Sequence, residues 1–544
     1  MAAMPRLYSS PKPRGYRIDK VGAGKRQWGM LKKYFRRADR ILFWILPSLS
    51  FLYFIRHYHP MTYCLAGMAI LVAGGILMAG WDGYQKIHLG LMTLVVVGIA
   101  LPALGVWQFL SLGDPGDVDH AAYACAFWNL EHGRTYYAIA NQNIFGIHAN
   151  YTCLFWLPLH YLAGELGIKI GKCLCLLITV GLVAKRFWGK REMAAWAALA
   201  VLLSPPIASQ FFFGFHPEFL APPVLILAME AYRNEKLGRF LAYAAFLAFT
   251  KEVYTMAIGG ILLVALAERR SWKWLLLPGL LGCAQMALYW FFIIPHFSPD
   301  GNHFRGLLPG SSEAIFSLLF RRNTLAFALH LVLPFLPLML VLPKRYLLLP
   351  LPLFLFYSVM PDWTHDMWRH YPHPFALLCF GGLILMKEAQ PEGKVAQPGG
   401  KAPSKKLAVD GRILIACTMI SLLSFPLWRT VFSLPNGGLA RATEVARIRK
   451  QVPETASVLV NGSFTAWFAA RKDIMDWTYK VMPLGHFDYV VIDETFHPDW
   501  LDKRKELGED IAALSNSSDW ARLYGHDGLY LFRHSPQPTA PLTP

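Results

Sequence analysis

The residues best suited to chemistry lie in two short segments far apart in the chain. Asp114-Pro-Gly-Asp117-Val-Asp119-His120 places three carboxylates within six residues. Carboxylates so close repel one another unless a cation, a proton or an arginine offsets the charge. Such a cluster can bind a divalent ion through hard oxygen ligands, or hold one carboxylate as a general base beside a hydroxyl. The segment continues into Trp128-Asn129, His132-Gly133-Arg134 and, further on, His148. The second segment is Phe213-Gly-Phe-His216-Pro-Glu218, where one apolar run ends and the next begins. An ionisable residue at a helix mouth usually faces the bundle interior, and Glu218 also gains from the dipole of a Pro-started helix. Lys251-Glu252 at another junction reads as an ion pair, either a structural pin or a phosphate site. Arg134, Arg305 and Arg369 suit a phosphate, which guanidinium binds bidentately. With the segment from Asp362 to Asp366 and with His370-Tyr371 they outline an anion-binding lid.

The elements that must carry these residues are apolar. The chain has 544 residues, 55% hydrophobic and only 16% charged, with mean hydropathy +0.33. A soluble domain carries about 25% charged residues, so a soluble enzyme is excluded. Fourteen apolar runs follow in order: 41–55, 61–80, 87–110, 150–164, 169–184, 193–213, 217–232, 239–250, 252–267, 274–295, 324–342, 346–360, 374–386 and 411–431. Runs of this length separated by basic or aromatic punctuation mark a polytopic all-α membrane bundle. Of the net charge of +18, residues 1–40 hold +10, with 12 basic and 2 acidic residues before the first run. That is a cytoplasmic tail by the positive-inside rule and not a nucleic-acid arm, because no aromatic-interleaved basic fold accompanies it. No cleavable signal is read there.

Further basic clusters, at 185–191, 233–239, 268–273, 344–345 and 387–412, place those loops inside. Parity then requires one run between residues 110 and 185 not to cross, and Tyr151–Gly164, with Trp156, Pro158 and His160, reads as an interfacial helix. The reading is about thirteen crossings, N-terminus inside and C-terminus outside. The domains are a basic tail 1–40, a bundle 41–387 with external loop 111–150, a cytoplasmic linker 388–410 and a last span 411–431. An external α/β domain 440–535 and a disordered tail 536–544 complete the chain. Ser457–Asn461, Asp488–Asp493 and Gly528–Arg533 read as buried strands of that domain. Nine of the eighteen histidines fall in the external loops, which points to a polar cleft on one side of the membrane. The eight cysteines lie mostly in apolar stretches and imply neither disulfides nor a metal.

In the order of these motifs the chain resembles an uncharacterised family of bacterial and archaeal predicted membrane proteins related to GT-C type glycosyltransferases. The resemblance covers residues from about 90 to 530. It is carried by Asp114-x-Gly116-x-x-Asp119, Trp128-Asn129, His132-Gly133, His148, His216-Pro-Glu218 with Ala221-Pro-Pro223, Lys251-Glu252, His370-Tyr371 and Arg471. Two positions depart from it, His120 where Gln is expected and Val253 where an acid is expected. The resemblance implies a GT-C architecture and transfer of a hexosyl or pentosyl group from a polyprenyl-phosphate donor at the external face of the cell envelope. By position, Asp119 or Asp114 would be the base or the ligand of a divalent cation such as Mg or Mn, with Glu218 and His216 as the second site. His132, Arg134, His148, Lys251, Glu252, Arg305, Arg369, His370 and Tyr371 would bind substrate. A transporter or flippase of a lipid-linked anion is the alternative, although no internal repeat is seen, and a non-catalytic membrane scaffold is a third reading.

Overall fold

A computed structural model describes residues 89–112, 118–137, 139, 142–148, 150–187, 190–298, 311–365, 369, 371–386, 411–424, 438–461, 464–495 and 504–535. Asp114, Arg305 and His370, the tail 1–40, the runs 41–55 and 61–80, the linker 388–410 and the tail 536–544 lie outside these residues. Most of the rest is helical. Among the described residues four helical segments are long and apolar enough to cross a membrane: Thr93–Leu110, Tyr151–Lys185, Lys273–Phe297 and Arg322–Val341. Arg191–Leu202 and Pro205–Phe211 make a fifth if their 70° bend falls within one span. The thirteen expected crossings are therefore not reached among the described residues. Several apolar runs prove to be short helices instead, Leu237–Thr250, Val253–Ala267 and His373–Leu385 among them. Prolines at 205, 206, 217, 222 and 223 restart the helix at N-terminal positions, where the missing N–H is tolerated, so the runs 193–213 and 217–232 each become two or three elements.

Tyr151–Gly164, expected to lie at the interface without crossing, is part of the candidate span Tyr151–Lys185 and ends at a kink inside it. Ala163 and Gly164 break the helical geometry, and Gly164 sits at φ 54°, ψ −144°, a region open essentially to glycine alone. Before the break Phe155, Tyr161 and Leu162 face outward; after it the helix runs on to Lys185. Close packing elsewhere also depends on glycine. A Cβ on Gly105 of helix Leu89–Leu112 would stand 2.3 Å from the Phe211 carbonyl oxygen.

Four of the basic clusters assigned to one side meet at one end of the bundle. Glu268 there accepts from Tyr232 (3.0 Å) and Tyr346 (3.3 Å) and pairs with Arg270 (3.3 Å) and Arg345 (3.1 Å). Arg233 donates to the Ile384 carbonyl and Arg186 to that of Met386.

The C-terminal part is the expected small α/β unit. Its sheet runs in the order Ile474–Asp476, Val458–Val460, Tyr489–Asp493, Leu529–His534, Trp520–His526, the first three strands parallel and the last two antiparallel additions. Three of these match the sequence expectation. Leu459, Val490, Ile492 and Phe532 pack with Leu507 and Leu514 of helix Arg504–Asn516 to form its core. Arg441 is tied to Asp493 by two bonds of 3.1 and 2.9 Å, and Arg471 donates to the carbonyls of Phe468, Pro453 and Ala456. The carbonyl of Arg471 in turn lies 3.9 Å from the Cys125 thiol, on the helix that carries Asp119.

Candidate functional site

Asp119 stands in the first turn of helix Val118–Glu131, its side chain half-exposed. Next to it His120 is fully buried, stacked on Phe109 at 4.8 Å. The departure from the family pattern at 120 therefore falls on a core ring.

The chain reaches Asp119 again through an irregular stretch, where Phe212 to His216 leave helical geometry before the 3-10 turn Pro217–Leu220. His216 is extended, at φ −133° and ψ 137°. This aims its ring between two carboxylates: Nε2 is 3.3 Å from Asp119 Oδ2, and Nδ1 is 3.9 Å from Glu218 Oε2. The imidazole is stacked on Phe213 (5.6 Å) and edge-on to Tyr123 (5.7 Å). Carboxylates 99 residues apart thus converge on one ring, Asp119 half-exposed and Glu218 with 2% of its side chain exposed.

Glu218 is offset by Lys251, whose ammonium donates to Oε1 at 2.8 Å with equally little exposure. Lys251 is extended (φ −166°, ψ 144°) at the break between helices Leu237–Thr250 and Val253–Ala267. Its neighbour Glu252 pairs instead with His148 Nδ1 at 2.7 Å. The expected Lys251–Glu252 ion pair is therefore corrected. Successive side chains at an extended residue point to opposite sides, so each meets a partner from elsewhere in the chain. Through His148 the short helix Ile144–Ile147 is fastened to the bundle, and Tyr289 adds a bond to the Ile147 carbonyl at 2.7 Å.

Tyr371 closes the group. Its ring centroid lies 5.7 Å from Lys251 Nζ. Burial holds its phenol well above the ordinary value; the charge of Asp119 and, more weakly, that of Glu218 push the same way, and Arg369 opposes them. Arg369 offers its carbonyl to Gln210 at 3.0 Å. Behind the cluster Trp156 donates to the Pro217 carbonyl (2.9 Å), and His373 Nε2 stands 2.8 Å from the Tyr254 hydroxyl while its ring stacks on Phe219.

The structure thus brings together Asp119, His148, His216, Glu218, Lys251, Glu252 and Tyr371, with Arg369 alongside. It does not bring His132 or Arg134 there. They follow the far end of the Asp119 helix, roughly 20 Å away at 1.5 Å per residue. Both are exposed, and His132 donates to the Trp128 carbonyl while its ring lies tilted against the indole at 4.1 Å. Their pattern reads like a binding pair because a helix end is polar, yet that end faces away from the cluster. Sequence reasoning missed Trp156, Gln210, Tyr254 and His373, and also Lys169 and Lys172. The two lysines are buried in a largely apolar helix, and a charge inside such a run is the signal that marks them.

A divalent ion finds no donor set among the described residues, where no three His, Cys, Asp or Glu side chains are grouped to hold one. Glu218 is already engaged by Lys251, and Asp114 lies outside the described residues.

The family described as "Predicted membrane protein (DUF2079)" matches residues 115–531. No curated protein matches the chain. Among solved structures, ArnT from Cupriavidus metallidurans bound to undecaprenyl phosphate is similar at 14% identity and TM-score 0.50, over 80% of this chain and 97% of that one. Its apo state gives the same identity and score over 81% and 98%. The arabinofuranosyltransferase AftD from Mycobacteria is 12% identical at TM-score 0.43, over 82% of this chain and 40% of that one. At this identity the likeness to ArnT, a GT-C glycosyltransferase, is one of fold.

Proposed function

We propose, for a chain that belongs to the DUF2079 family of predicted membrane proteins and shares the ArnT fold, that it is an integral-membrane glycosyltransferase. It would take a sugar from a polyprenyl-phosphate donor to an acceptor hydroxyl on the external face. The observation that carries this reading is the meeting of Asp119 and Glu218 on His216. That undecaprenyl phosphate is bound by the fold neighbour ArnT supports the donor class.

In this mechanism the half-exposed Asp119 accepts the proton of the acceptor hydroxyl. The freed oxygen attacks the anomeric carbon while the bond from that carbon to the phosphate oxygen breaks, its electron pair leaving with the polyprenyl phosphate. One displacement inverts the sugar carbon. His216, 3.3 Å from Asp119, holds the carboxylate in place and shares the proton it gains. Glu218 and Lys251 form the buried base on which His216 rests, and Arg369, beside Tyr371, faces the phosphate as charge develops on it. The basic end around Glu268 is assigned to the cytosol and the Asp119 mouth to the outside.

The test is incubation of purified protein with a panel of polyprenyl-phosphate sugars, reading release of the lipid phosphate. Wild type should turn over at least one donor, and Asp119→Asn should lower the rate by about 10²–10⁴-fold, the range of a general base. No turnover with any donor, or equal turnover by the variant, removes the proposal.

A further inference from the structure

Helix Leu157–Lys185 carries Lys169 and Lys172 one turn apart, with 1% and 0% of each residue exposed. Residues three apart share a helix face, and an ionisable residue at such a place is costly enough to mark a function by default. Both ammoniums reach one turn of the chain. Lys169 Nζ donates to the Phe213 carbonyl at 3.1 Å; Lys172 Nζ donates to the same carbonyl and, at 2.9 Å, to that of Gly214. Backbone carbonyls pointing into a bundle interior need donors, and this turn is not helical.

What the turn carries is the site. The Phe213 ring is the one stacked on His216. Lys172 Nζ also lies 4.8 Å from the ring centroid of Phe219, the residue after Glu218, and that ring stacks on His373 at 5.4 Å. The two lysines therefore grip the segment from Phe213 to Phe219 on both sides of His216 and Glu218. We infer that Lys169 and Lys172 are positioning residues that hold this turn so that His216 stays between Asp119 and Glu218. The consequence for turnover rests on the transferase reading; the positioning itself does not.

The experiment uses the full chain in detergent, as wild type, Lys169→Met, Lys172→Met, the double variant and Lys172→Gln. Methionine matches lysine in length and fills its space without a charge; the carbonyls of Phe213 and Gly214 lose these donors, so a folded protein with a lowered thermal midpoint is expected. Histidines are modified with diethylpyrocarbonate and mapped by mass spectrometry, with exposed His132 and His526 as internal controls. In the double variant His216 should react about tenfold faster than in wild type, with the control histidines unchanged and the melt still cooperative. Lys172→Gln, which keeps an N–H donor, should restore protection. Unchanged His216 reactivity in the folded variants overturns the inference. So does a rise at every histidine together with a collapsed midpoint, which would make the lysines general props of the fold. With an active donor, kcat should fall about a hundredfold, the cost of misplacing a group by about 1 Å, while donor KM moves less than about threefold. A wild type without turnover removes the transferase reading and leaves the labelling result to decide the role of the lysines.

Discussion

Removing either partner of the Lys251–Glu218 pair should destabilise the protein far more than removing both. The two charges lie 2.8 Å apart with 2% of each side chain exposed, so neither has water to fall back on. Lys251→Met strands the Glu218 carboxylate, and breaking a buried pair from one side costs about 3–5 kcal/mol. His216 Nδ1 at 3.9 Å offers Glu218 some compensation, which places the expected cost near the lower end. Glu218→Gln takes the counter-charge at 2.8 Å away from the ammonium and leaves the Tyr371 ring beside it at 5.7 Å. The double variant loses both charges and keeps the volume, so it should lie within about 1 kcal/mol of wild type. The coupling energy expected from this double-mutant cycle is therefore on the order of 3 kcal/mol or more, well above the roughly 0.3–0.5 kcal/mol within which independent sites add. Thermal unfolding of the four proteins in one detergent, followed by tryptophan fluorescence, reads the cycle. Single variants that each melt with wild type, or two losses that simply add, would show that these residues do not meet in a dry site.

Two further outcomes follow from the geometry. Glu268→Gln removes charge from a hub that accepts from two tyrosines and pairs with two arginines; it should cost about 1–2 kcal/mol, read in the same melts, and leave donor turnover unchanged because the hub sits at the other end of the bundle. Asp476 accepts from Thr465 Oγ1 at 2.7 Å and the Thr478 amide at 2.8 Å, and burial raises its pKa above the ordinary value of 3.8. A raised folded pKa gives stability that is fully present below the unfolded value and lost as pH rises through the folded one. Asp476→Asn should therefore gain on wild type as melts move from pH 4 to pH 7, and a difference independent of pH would contradict the assignment.

How much of this was legible in the sequence depends on whether a residue type or a partnership was being read. Asp119, His148, His216, Glu218, Lys251, Glu252 and Tyr371 stand out as polar groups at the ends of apolar runs, and the structure gathers all seven. Their pairing was not legible, because one extended residue at Lys251 decides which way two adjacent charges point. Lys169 and Lys172 were hidden by averaging, since a run that is apolar as a whole conceals two charges on one face. In the outer domain, Tyr489–Asp493 showed itself as a continuous apolar run because both its faces are covered. Ile474–Asp476 is only three residues long, and Trp520–His526 is an edge strand with a register shift near Arg522 and largely open side chains, so neither carries a buried-strand pattern. The number of crossings was the least legible quantity, because an apolar run reads the same whether it lies against lipid or inside the bundle.

Helix Val253–Ala267 joins the two halves of the functional argument. Lys251, just before it, belongs to the half-open cluster around His216; Glu268, just after it, belongs to the basic hub. Fifteen residues separate these ends, or about 22 Å. At the hub end Arg270 bonds Glu235 at 2.8 Å, Tyr346 donates to the Leu385 carbonyl at 3.3 Å, and Arg233 and Arg186 bind the carbonyls of Ile384 and Met386. That ties the C-terminal ends of four helices, at 185, 233, 267 and 385, to one another and to the turn at 344–348. Alternating access requires one set of elements to rock against another around a midplane site, and such a motion would have to break these bonds together. Here the titratable cluster lies at the opposite end from the hub, with its only half-exposed carboxylate, Asp119, at the mouth. A cluster open at one end and fastened at the other can bring a lipid-borne donor and a soluble acceptor to the same face. Among the described residues the hub fastens the other end, which a transferase tolerates and an alternating-access carrier would have to undo.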